Sequence, residues 1–112
     1  MSTSNETQAS ITGAAPALIR ALRRAAEIAE ANDRGWFGIE DVLAVLLDDD
    51  RSLLGAHAAR QGLTEQFEEI RRLARSLVPG AVGGPSTPAG PAGVDFTISG
   101  PDAAELEAFV RA

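Results

Sequence analysis

The chain has 112 residues, with ten arginines and no lysine against sixteen Asp and Glu, for a net charge of −6. That length fits one small domain and excludes a multi-domain enzyme, and an anionic surface of this sign excludes nucleic-acid binding without a local basic patch. The absence of cysteine removes disulfides, thiolate catalysis and Cys-type zinc sites together.

The opening "MSTSNETQAS" has neither a basic nor an apolar segment, so residues 1–13 read as a flexible arm, not a secretory signal. The longest apolar run, Val42 to Leu47, is six residues, far short of the roughly 20 that span a bilayer. No membrane contact is expected, and a cytoplasmic location fits the cysteine-free composition.

Helix one is predicted over Pro16 to Ala31. Proline suits a first helical position; Leu18, Leu22, Ala25 and Ala29 form a stripe at helical spacing, and Asn32 to Gly35 supply the stop. Arg20, Arg23 and Arg24 oppose the helix dipole, so propensity and packing must hold this helix. Helix two is predicted from Gly38 or Ile39 to Leu47, with Ile39, Val42, Leu43, Leu46 and Leu47 on one side. Glu40 and Asp41 fall in its first turn, where the dipole and free amides favour negative charge.

"DDDRS" then reads as a solvated turn, with Ser52 as the cap of helix three, "LLGAHAARQ", which Gly62 closes. Helix four is predicted over Thr64 to Val78, capped by Thr64. Its apolar stripe is Phe67, Ile70, Leu73, Ala74 and Leu77, its start is acidic, its later turns are basic, and Glu68 with Arg72 makes an i,i+4 pair.

Between Pro79 and Gly93, nine of fifteen residues are Gly or Pro, which predicts a semi-extended linker. Residues 94–112 follow. Val94, Phe96 and Ile98 alternate as in a short strand or extended arm, and a helix is expected from Pro101, capped by Ser99. At an offset of 87, Ile11-Thr12-Gly13 aligns with Ile98-Ser99-Gly100, and Ala17, Ala21, Arg24 and Ala25 align with Ala104, Ala108, Arg111 and Ala112. The tail therefore reads as a truncated second copy of the head.

An Ala-rich helix, a Gly turn, "FGIEDVLAVLL", a short connection and "LLGAHAARQGLTEQFEEIRRL" together resemble one Clp-N repeat. That is the helical module, normally present twice, at the N-terminus of Clp-type AAA+ unfoldases. Gly38, Glu40, Val42, Leu43, Leu46, Leu47, Gly62 and Leu63 match the family pattern, and Asp41 stands where the family carries His. The resemblance covers residues 14–78. It implies an all-α fold: a small four-helix Clp-N-like repeat, followed by the Gly/Pro linker of 79–93 and a C-terminal extended segment plus helix.

It also implies function. In that family these repeats perform no chemistry; they dock clients, adaptor proteins and, in some Gram-positive members, phosphorylated arginine side chains. Glu40 would accept guanidinium hydrogen bonds, while a hydroxyl and the amides at the start of helix one hold the phosphate. The family's Thr position is Ala15 here, so Thr12 takes that role only if the turn bulges. A chain without lysine carries no Walker A lysine. The expectation is therefore a non-enzymatic protein-binding module in regulated proteolysis, serving as adaptor, client-binding unit or decoy for a Clp unfoldase, with no cofactor and no metal.

Trp36 and Phe37 offer two roles, as caps on the bundle or, for Trp36 above all, as an aromatic anchor for a partner. The ligand- or partner-binding residues expected are thus Glu40, Asp41, Trp36 and Thr12. The single His57 lacks a nucleophile with which to form a catalytic set, and Asp48 to Asp50 lack the alternating spacing and central Gly of a calcium loop. A single repeat buries only about 60% of its unfolded surface, so the chain is expected to be dimeric or partner-bound. The rival expectation is a small helical dimerisation or regulatory domain unrelated to proteolysis, in which Glu40 and Asp41 serve only the helix start.

Overall fold

A computed structural model of the chain describes residues 8–49 and 53–112. These form five helices and no strand: α1 (Pro16–Ala31), α2 (Ile39–Asp48), α3 (Leu53–Arg60), α4 (Thr64–Ser76) and α5 (Ala103–Arg111). The all-α class follows the sequence. Ser52, expected to cap α3, and Asp50 lie outside the described residues, as do the first seven residues of the predicted arm. No described helix is long and apolar enough to cross a membrane.

The chain divides into two compact units, one holding α1 with Gly84–Ala112 and the other spanning Phe37–Gly83. In the first, α1 packs on α5, with Ala21, Ala25, Ala26 and Ala29 buried on α1 and Val110 buried on α5. Small side chains on α1 let the partner backbone come close, so dispersion contacts are made without a large side chain in the seam. Arg20 lies over the Phe109 ring at 5.5 Å and Arg111 over the Phe96 ring at 4.8 Å, contacts in which a cation meets the electron-rich face of the ring and covers apolar surface.

Helix α1 begins as its sequence requires. Pro16 follows the extended Ala15, which provides no side-chain cap, while the Ala15 carbonyl accepts from the Leu18 and Ile19 amides. It ends in a Schellman arrangement: the Arg34 amide donates to the Ala29 carbonyl and the Asp33 amide to the Glu30 carbonyl, each at 3.0 Å. Asp33 takes the left-handed conformation there, at φ 59°, a position where Asp is tolerated because its short polar side chain can bond locally.

The Gly/Pro-rich stretch is irregular, as its composition demands, and its second half is tied to α1. The Ala92 amide donates to Glu30 Oε2 at 3.1 Å. Gly35 lies against the backbone of Gly90 so closely that no Cβ fits between them. Val94, Phe96 and Ile98 are half-buried while Asp95, Thr97 and Ser99 are exposed, so the predicted alternation exists as an extended arm that pairs with no strand among the described residues. The 87-residue spacing recurs in the backbone: Gly13 and Gly100 both have positive φ, 89° and 112°, and the helices after them start at Pro16 and Ala103.

In the second unit, α2 and α3 each pack on α4, around Leu47, Ala58 and Ala74. The Phe67 ring of α4 lies beside Gly55 of α3, 3.6 Å from where a Cβ would stand, an ordinary packing distance. Gly62, at φ 69°, closes α3 as expected, with the Leu63 amide bonded to the Ala58 carbonyl at 2.8 Å and the Gly62 amide to that of Ala59 at 3.1 Å.

Several boundary expectations are corrected. Thr64 is the first residue of α4, not its cap; Leu63 occupies that place without a side-chain bond. The helix stops at Ser76 because Val78 precedes Pro79, whose ring disfavours helical backbone before it. Helix α5 begins at Ala103 after a turn at Pro101 and Asp102, with Asp102 and not Ser99 at its cap position.

Candidate functional site

Helix α2 starts at a glycine, which has no side chain with which to cap it. The return half of a capping box supplies the remedy: the Gly38 amide donates to Asp41 Oδ2 at 2.7 Å. Asp41 is only 4% exposed. A buried carboxylate requires such bonds, so the structure places this residue inside the turn, where it fixes the entry of the chain into α2.

Glu40, its neighbour, sits differently. Its Oε1 is enclosed and has no hydrogen-bond partner among the described residues. The carboxylate lies against Gly80, where a Cβ would overlap it. Nothing in the sequence signals this: Gly80 reads as one of many spacer glycines in the Gly/Pro stretch, and only the return of the chain after α4 sets it beside α2.

Trp36 is half-buried, with the Arg34 guanidinium 4.9 Å from its ring centre. Arg34 Nη1 also donates to the Trp36 carbonyl at 3.1 Å, so one face of the indole is already occupied by a cation from two residues away. Thr12 is exposed, next to Gly13 with its positive φ. Thr12 and Trp36 belong to the first unit, Glu40 and Asp41 to the second.

The acidic turn after α2 is more than solvated surface. Asp48, the last residue of α2, bonds Arg75 Nη2 at 2.6 Å and Arg71 Nη2 at 3.0 Å. A carboxylate at a helix C-terminus opposes the dipole, and α2 has no basic residue in its last turn; α4 supplies the cations instead. Hydrogen bonding to Arg75 holds the Asp48 carboxyl below its usual range, against the opposite push of partial burial and with further help from Arg71. Arg71 also bonds Glu68 Oε2 at 2.7 Å, so Glu68 pairs three residues on with Arg71 and not, as expected, with Arg72.

The largest departure from the sequence reading concerns the stripe of α4. Ala74 is buried and Phe67 half-buried, but Ile70, Leu73 and Leu77 are 51%, 62% and 48% exposed. Helices α2 and α3 both pack on α4 and still leave these three residues open to water. No protein-family model, no curated protein and no solved structure matches this chain.

Proposed function

We propose that the chain is a non-enzymatic, Clp-N-like protein-binding module in regulated proteolysis, which engages a Clp unfoldase, its adaptor or its clients through the start of α2. The reading is supported by the order of elements, in which "GIED" opens an apolar helix after an Ala-rich one and a glycine turn. The observation that carries it is the Glu40 carboxylate beside Gly80, whose Oε1 has no hydrogen-bond partner among the described residues. An unsatisfied carboxylate oxygen costs free energy, and a guanidinium presents forked donors that match it. Arginine-bearing segments, phosphorylated or not, are therefore the ligand class, and a cytoplasmic setting goes with the reading.

Titration of the full chain with an arginine peptide, its phosphoarginine form and a citrulline control, followed by calorimetry, tests this. Binding by the arginine forms that is lost in Glu40→Gln supports the reading. Equal binding of the citrulline control, or none at millimolar peptide, refutes it.

A second reading, a dimerisation or regulatory domain unrelated to proteolysis, is favoured by a separate observation, the open apolar edge of α4.

A further inference from the structure

The exposed residues of α4 are not scattered. Ile70, Leu73 and Leu77 recur at three- and four-residue intervals, and Leu63, 47% exposed at the cap position, continues the same line seven residues before Ile70. That is the a/d spacing by which one helix packs along another, and an apolar line of this length on a small soluble domain marks a contact surface.

Charge identifies the occupant. Helix α4 holds three glutamates in its first half, Glu65, Glu68 and Glu69, and three arginines in its second, Arg71, Arg72 and Arg75. It is therefore locally neutral within a chain of net charge −6, so this surface is spared the repulsion that the whole chain would exert on a copy of itself. Arg71 and Arg75 are engaged by Asp48. Glu65, Glu69 and Arg72 make no ion pair among the described residues. Their i, i+4, i+7 spacing sets them in a row beside the apolar line.

We infer that α4 is the interface of an antiparallel homodimer, in which Leu63, Ile70, Leu73 and Leu77 of one copy pack along the same residues of the other. A two-fold axis near the middle of α4 turns the acidic half of each helix toward the basic half of its partner, so the surface is complementary to itself. It also opposes the two helix dipoles, whereas a parallel pairing sets acidic turns beside acidic turns and aligns the dipoles. The inference does not depend on the role proposed for Glu40, which lies on another helix.

Light scattering on the eluted full chain, well above micromolar concentration, is expected to give the mass of two chains. Ile70→Glu with Leu73→Glu, at positions already more than half exposed, is expected to halve that mass with unchanged helical circular dichroism. Orientation is read by cross-linking, which the absence of native cysteine makes unambiguous. Gln66→Cys mixed with Leu77→Cys is expected to form the mixed disulfide in excess over either same-site disulfide. A wild-type monomer overturns the inference, whether the face is then covered by another part of this chain or by a different protein. So does a dimer that survives the double glutamate variant, or cross-linking that favours the same-site pairs.

Discussion

Asp41 accepts a hydrogen bond from the Gly38 amide at 2.7 Å while almost fully buried, and this one contact performs the work of a helix cap that glycine cannot supply. Asp41→Ala leaves the Gly38 donor and the turn unsatisfied and is expected to cost about 1–3 kcal/mol. Asp41→Asn, which retains an acceptor oxygen, is expected to cost less. Urea denaturation of the two variants beside wild type checks the order; equal costs would show that the bond contributes nothing specific.

Glu40 and Gly80 are coupled by space. A methyl group at Gly80 claims the volume of the Glu40 carboxylate, so Gly80→Ala is expected to displace that side chain, and the displacement has no cost once Glu40 is Ala. The double-mutant cycle is expected to show a coupling of about 0.5–3 kcal/mol. Gly80→Ala alone is also expected to weaken binding of arginine peptides, because it moves the acceptor. Additive stabilities would mean that the two residues do not meet in solution.

The pairing of Asp48 with Arg71 and Arg75 predicts a definite response to acid. Its folded-state pKa lies below the ordinary 3.8, so the stabilisation is complete above the unfolded value of about 3.9 and is lost as pH falls through the lower folded value. The Asp48 side chain is 38% exposed, and solvent screening limits the pair to about 0.2–1 kcal/mol. Wild type is expected to lose more stability than Asp48→Asn between about pH 6 and pH 3, and the difference is expected to shrink at high salt.

Gly35 meets Gly90 backbone to backbone. A Cβ at Gly35 would overlap the Gly90 carbonyl oxygen and stand 3.0 Å from its nitrogen and 3.2 Å from the Ala89 carbonyl carbon, none of which is the end of a flexible side chain. Gly35→Ala is expected to destabilise the first unit by about 1–3 kcal/mol and to raise amide exchange at Ala92, whose N–H bonds Glu30. Wild-type exchange in the variant would show that the segment does not rest on α1.

Local physics in the sequence accounts for the helices and most of their ends. The Ala-rich body after Pro16, the apolar run after Gly38 and the glutamate-to-arginine order of α4 each specify a helix within a residue or two, because propensity, dipole and periodicity act over single turns. Gly62 stops α3 because only its backbone freely adopts the turn required there. The sequence also determined that Asp41 belongs to a helix start, though not whether it would face a ligand or its own backbone. Burial decided that, since an enclosed carboxylate must find its donor nearby.

Partnership was settled only in three dimensions. Nothing local in α1 says that its alanines meet Val110, that the second half of a Gly/Pro stretch returns to Glu30, or that Asp48 draws its cations from a helix more than twenty residues on. Nor does an amphipathic stripe state how much of itself will be covered. Phe67 and Ala74 are enclosed, while Ile70, Leu73 and Leu77 of the same stripe remain half in water, because periodicity fixes which side of a helix is apolar and only the arrival of other elements decides how wide a part of it they can shelter.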